Sequence, residues 1–178
     1  MKIVWLGGST FRIQIEGRIL VIEPDGAPRD IEPAELRSGA DTLVDLDSAD
    51  LPHFDAESWR PRRRTRLIDE PQGDEGLDLR RLSSRAIVCD TRDEGMMVLA
   101  ETSVPPQWGR WADAAVVVLA GAGRACAAAG TALLDIARPK LIVLAVPAEE
   151  VDAAFAALAP QLAGSGLVVA DAGLAVEA

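Results

Sequence analysis

MKIVWLGGSTFRIQIEGRILVIEP, residues 1–24, decides how the chain begins to fold. Ile3, Trp5 and Leu6 open an apolar stretch that stops at Gly7 and Gly8. Phe11, Ile13 and Ile15 then alternate with Arg12, Gln14 and Glu16, the period of two that marks a half-buried strand. Glu16 and Gly17 form a tight turn, residues 18–22 form a third strand, and Pro24-Asp25-Gly26 ends it. The stretch predicts an N-terminal antiparallel meander.

Outward from it, Pro33 to Leu36 suggests a short helical turn. Residues 42–44 read as a buried strand, followed by the acidic run Asp45-Leu46-Asp47-Ser48-Ala49-Asp50. Residues 52–76 are the least regular part. Arg60, Arg62, Arg63, Arg64 and Arg66 precede Asp69, Glu70, Asp74 and Glu75 there, a pattern of a charge-paired loop or short surface strand. The same arginines are the candidate anion site. Residues 85–91 and 96–101 flank Arg92-Asp93-Glu94-Gly95 and predict a β-hairpin. The second half alternates: a strand at 114–119, an alanine-rich helix at 125–137 ended by Arg138-Pro139, a strand at 141–146 and a helix at 149–162. A terminal hairpin around Asp171-Ala172-Gly173 is expected over 167–176. Meander followed by strand–helix alternation gives an α/β (α+β) class, as one domain over residues 1–178.

The composition limits the chemistry. The chain has 178 residues, 49% hydrophobic and 26% charged, with a net charge of −10, which is globular composition with strong acidity. Acidity opposes binding to nucleic acid or an anionic membrane surface, since both require positive potential. No apolar run is long enough for a membrane span, and residues 1–15 break at Gly7-Gly8 unlike a signal peptide, so a cytoplasmic location is expected. Cys89 and Cys126 lack metal-type spacing and read as reduced, buried thiols. His53 is the single histidine, so no histidine-rich metal centre can form.

Four segments, taken in order, resemble the metallo-β-lactamase fold, in particular its branch of ascorbate-6-phosphate lactonase-like hydrolases. Residues 1–24 are similar to its opening strands, with Gly8 where that family has the histidine of Leu-Gly-His, and Glu23-Pro24 where it has Asp-Pro. Residues 40–51 match the strand that delivers His-x-His-x-Asp-His, with Leu46, Ser48, Asp50 and Leu51 at the matched positions. Residues 97–103 look like the strand ending in Gly-Asp-Thr, with Glu101 in place of the metal-bridging aspartate. Residues 138–147 resemble the strand that ends at the last histidine ligand, near Val146. The resemblance implies a shortened αββα sandwich.

It also implies a metal site stripped of its ligands. Imidazoles and carboxylates hold the ions of such sites and lower the pKa of a bound water. Leucine and valine offer no lone pair. A rescue by Asp45, Asp47, Asp50 and Glu101 around a hard cation is a weaker alternative, because Asp45 and Asp47 share the face opposite Leu46 if the strand continues. A Ser48–His53–Asp50 arrangement is too compact in sequence for a catalytic triad. Gly121-Ala122-Gly123 before a helix superficially suggests a dinucleotide loop, but Cys126 holds the third glycine position.

The expectation is therefore a protein without metal or cofactor, leaning away from an enzyme, and a hydrolase if it is one. The first reading is a non-catalytic interaction, scaffold or regulatory module, with a protein partner or homo-oligomer and no nucleic acid or membrane. Trp59, Trp108 and Trp111 are its candidate partner surface, with Trp5 and Phe54 nearby. The alternative is a metal-independent binder or enzyme for a small organic anion, using Arg62, Arg63 and Arg64 beside the vacated cavity. A residual hydrolase on a carboxylate-held ion is the third.

Overall fold

The computed structural model describes residues 1–61 and 77–178. The opening meander forms as expected: β1 (Lys2–Gly7), β2 (Thr10–Ile15) and β3 (Arg18–Ile22) pair antiparallel, with Ile3 opposite Ile13 and Ile13 opposite Leu20. Glu16 and Gly17 both have positive φ, 48° and 77°, the backbone of the tight hairpin turn whose twist matches the strands it joins. Glu16 tolerates this conformation while tied to the far loop: its N–H donates to Glu94 Oε1, and its own Oε1 accepts from the Asp93 N–H.

A short helix, α1 (Pro33–Arg37), precedes β4 (Thr42–Val44), which pairs parallel with β3. The second sheet begins with β5 (Leu77–Ser83), β6 (Ala86–Thr91) and β7 (Met96–Glu101), all antiparallel, the last two forming the expected hairpin. β8 (Val116–Ala120), helix α2 (Gly123–Ile136), β9 (Leu141–Ala145), helix α3 (Val151–Leu158) and β10 (Gly166–Val169) then give parallel pairing from β7 through β10. β11 (Ala175–Glu177) returns to β1. The sheet orders are β11-β1-β2-β3-β4 and β10-β9-β8-β7-β6-β5.

The sheets face each other across an apolar layer that includes Ile3, Phe11, Ile13, Leu20 and Ile22 from one and Ile87, Cys89, Met97, Leu99 and Val118 from the other. The alternate residues of the second sheet, Val98, Val117, Leu119, Ile142 and Leu144, pack against α2 and α3 through Cys126, Leu133 and Leu158. Gly130 permits this close helix contact: a Cβ there would lie 2.8 Å from Leu158. On the opposite side of the molecule, α1 lies over the outer face of the first sheet. Arg12 reaches from that face to the carbonyls of Leu36 and Ser38, both at 2.8 Å, and Leu36 is buried. The class is mixed α/β, with two mixed sheets and few helices.

Three sequence expectations change. Residues 167–176 do not pair as a hairpin. β10 pairs with β9 in the second sheet and β11 with β1 in the first, and the turn at Asp171–Gly173 carries the chain across, anchored by the Gly173 N–H on the Trp5 carbonyl. Strand β5 has no counterpart in the sequence reading. Its Leu-Asp-Leu-Arg-Arg-Leu-Ser pattern is broken by a register shift between Arg81 and Ser83, so its apolar residues leave strict alternation. The helix expected over 149–162 is regular only in α3, with a 3-10 turn at either end. No helix among the described residues is long and apolar enough to cross a membrane.

Candidate functional site

Strands β3 and β4 of the first sheet and β7, β8 and β9 of the second direct their carboxyl ends to one edge of the sandwich, where the β1–β2 turn also lies. Arg85 joins them. It sits in the turn between β5 and β6, and its Nε donates to Glu101 Oε2 at 2.9 Å. Its Nη1 donates to Glu23 Oε1 at 3.0 Å, and its Nη2 to Ser9 Oγ at 3.3 Å. One guanidinium thus fastens the end of β3, the end of β7 and the β1–β2 turn.

Each carboxylate is held from a second side. Glu23 has φ 50° and ψ 55°, a conformation fixed by its N–H on the Val44 carbonyl and by Thr10 Oγ1 on its own carbonyl. Its Oε1 also accepts the Leu46 N–H at 2.9 Å. Glu101 accepts the Ser103 N–H at 2.9 Å and the Ser103 hydroxyl at 2.6 Å. Burial alone would push the Glu101 carboxyl up. The Ser103 bonds and Arg85 outweigh it and hold the group below its ordinary value. Burial likewise acts to lower Arg85, but the Glu101 bond and the charges of Glu23, Glu101 and Asp47 raise it above its ordinary value. The side chains are 28%, 19% and 16% exposed for Arg85, Glu23 and Glu101, so the pairs are largely shielded from water.

Of the matched positions, Glu23 and Glu101 belong to this network and Leu46 adds its backbone N–H to it. Leu46 is fully buried and Val146 is 1% exposed, both in hydrocarbon. Leu51 packs against the inter-sheet layer. Ser48 Oγ accepts the Asp50 N–H at 3.3 Å, a local turn bond, and Asp50 is exposed. Asp45 and Asp47 are exposed on either side of buried Leu46, as alternation requires. These residues do not fit a metal. The apolar side chains supply no donor, the shielded carboxylates Glu23 and Glu101 already hold a cation, and no group of three or more His, Cys, Asp or Glu converges among the described residues.

The remaining candidates resolve as follows. His53 is exposed and contributes a backbone bridge to Arg81 of β5; among the described residues no hydrogen bond joins its ring to Ser48 or Asp50. The α2 N-terminus after Gly121 is closed, because Glu150 Oε2 accepts the Gly123 N–H and a Cβ at residue 123 would lie 2.8 Å from Glu150. A carboxylate there repels the phosphate that a dinucleotide loop would hold. Trp108 and Trp111 are 8% and 9% exposed and pack with Phe54 over the helix-side core, Phe54 meeting Trp111 edge-on at 5.0 Å. They cover the end of that core. Trp59 is half-buried, with its indole N–H on Asp90 at 3.1 Å. Arg62, Arg63 and Arg64 lie outside the described residues. The thiols are inert: burial, then the charges of Asp90 and its acidic neighbours, pushes Cys89 up to about 12, and burial also raises Cys126.

Sequence reasoning missed Arg85 and Glu23 as partners. Glu23 was legible only as a replacement for Asp, and Arg85 only as the first residue of a strand. It also missed a groove of about 490 Å³ beside Val146, lined by Trp5, Val151, Asp152, Val169 and Asp171 among others. No family model, no curated protein and no solved structure matches this chain.

Proposed function

We propose that this chain is a metallo-β-lactamase-like shell acting as a non-catalytic interaction, scaffold or regulatory module. One observation carries the reading: at the edge where the strand ends gather, Glu23 and Glu101 are both paired to Arg85, a cation built into the chain. A carboxylate held by hydrogen bonds and an ion pair is a poor general base and a poor ligand for an added ion. Buried Leu46 and Val146 support the same reading, since they fill with hydrocarbon the positions where the resemblance implies ligands. Ser48 and Asp50 share only a local turn bond, and among the described residues no hydrogen bond joins either to the His53 ring, so they supply no activated nucleophile.

The test is turnover. The full chain, supplied with zinc, manganese, iron or magnesium, is assayed against ester, lactone, thioester and phosphodiester substrates. The expected rates equal those of the Glu101→Gln variant and of buffer. A turnover abolished by Glu101→Gln or Asp50→Ala and retained in His53→Ala overturns the proposal in favour of a carboxylate-held ion.

A further inference from the structure

We infer that the open edge of β10, with the groove beside it, is a docking site for an extended basic and apolar peptide segment of a partner protein. This rests on the reading of the chain as an interaction module and names the partner's chemistry.

The four sheet edges are finished differently. β5 is paired along its outer side: the Phe54 N–H reaches the Arg81 carbonyl and the Arg81 N–H reaches the Pro52 carbonyl, both at 2.8 Å. β4 has three residues bounded by Asp41 and Asp45, and β11 has three residues including Glu177. Short strands and charges are the usual protection of an edge. β10, Gly166-Leu167-Val168-Val169, has no charge, no proline and no register shift, and among the described residues it pairs only with β9. The Gly166 N–H donates to the carbonyl of Lys140, just before β9, and the Ala170 N–H to that of Leu144 in β9, so by alternation those of Leu167 and Val169 face away from β9. These are the donors that an added strand takes.

The groove supplies the side-chain specificity. Trp5, Val146, Val151 and Val169 make an apolar wall, and among the described residues Asp152 and Asp171 are its charged lining. A strand laid on β10 turns alternate side chains to opposite faces of the sheet, one set toward this wall at the carboxyl end of β10. Apolar residues fit the wall, and lysine or arginine fits where the segment passes Asp152 and Asp171. The two aspartates and the net charge of −10 select against an acidic segment or nucleic acid. They also select against a second copy of this chain, whose own β10 edge would bring the same aspartates to the contact.

The probe is a short peptide of alternating valine and lysine, with a valine–glutamate peptide as its counterpart, titrated into the isotopically labelled full chain. Saturable binding of the lysine peptide is expected, with the largest amide shifts at Leu167 and Val169. Proline is tolerated where a strand N–H points outward. Val169→Pro should therefore keep the native spectrum and weaken binding about tenfold, the effect of one lost hydrogen bond with its packing. Asp152→Asn with Asp171→Asn should weaken it by roughly fivefold at low salt and less at high salt. If Val169→Pro does not fold, the aspartate pair and the shift map decide. Absence of saturable binding, equal binding of the glutamate peptide, or shifts centred away from β10 overturns the inference. So does a dimer in sedimentation that the aspartate changes tighten. None of these outcomes restores catalysis, so the non-catalytic reading is judged separately, by turnover.

Discussion

Two neighbouring patches at the carboxyl ends of the strands are finished in opposite ways. Around Arg85, polar atoms from four chain segments are paired and shielded. Around Val146, a wall of Trp5, Val151 and Val169 stands open beside an unpaired strand edge. The difference teaches where constraint lies. A shielded carboxylate requires a partner, so the first patch tolerates little change. An apolar wall makes no such demand, and the second patch tolerates more change.

The largest effect expected is from the hydrocarbon beneath the lock. Leu46→Ala removes a fully buried side chain whose N–H also positions Glu23, and should cost roughly 3 kcal/mol in urea unfolding. Arg85→Met is next. It leaves Glu23 and Glu101 together without their cation, and should cost about 2 kcal/mol, less than for a fully buried pair because Arg85 is partly exposed. Adding Glu101→Gln to Arg85→Met should recover part of that loss, since the two residues act as one unit. Strict additivity would show that the contact does not bind the sheets.

Much of this was legible in the sequence, and the failures have local causes. The meander, the 92–95 hairpin and the strand–helix alternation follow from periodicity and turn residues, because each pairs with a neighbour in the chain. The terminal segment misled because Asp171-Ala172-Gly173 is a turn by composition, yet it joins two sheets rather than two paired strands. β5 was missed because an edge strand with a register shift loses its period. The lock itself was out of reach. Arg85 and Glu23 are 62 positions apart, and nothing in either segment announces the other. The resemblance implied a set of ligand positions, and alternation placed Asp45 and Asp47 away from Leu46. Neither indicated what stands there instead.

A smaller effect distinguishes the patches by pH. The folded Glu101 carboxyl lies below its ordinary value of 4.5, so the folded state binds its proton later than the unfolded state. Its contribution is fully present above that ordinary value and is lost as pH falls through the lower folded one. Thermal unfolding followed down the acid limb should show Tm falling in wild type and falling less steeply in Glu101→Gln. Identical slopes would remove Glu101 from the account. In the open patch, Asp171→Asn is expected to change unfolding free energy by no more than about 0.5 kcal/mol, as for a surface residue. A larger loss there would mean that the groove, too, is structural.

The central claim is that Arg85 is the cation of this site. Metal content of the full chain, purified after expression in medium supplemented with zinc, manganese and iron and then titrated with each ion, tests it most directly. Substoichiometric metal and no saturable binding are expected, with wild type and Glu101→Gln indistinguishable. One equivalent of ion per chain, lost on Glu101→Gln, would contradict it.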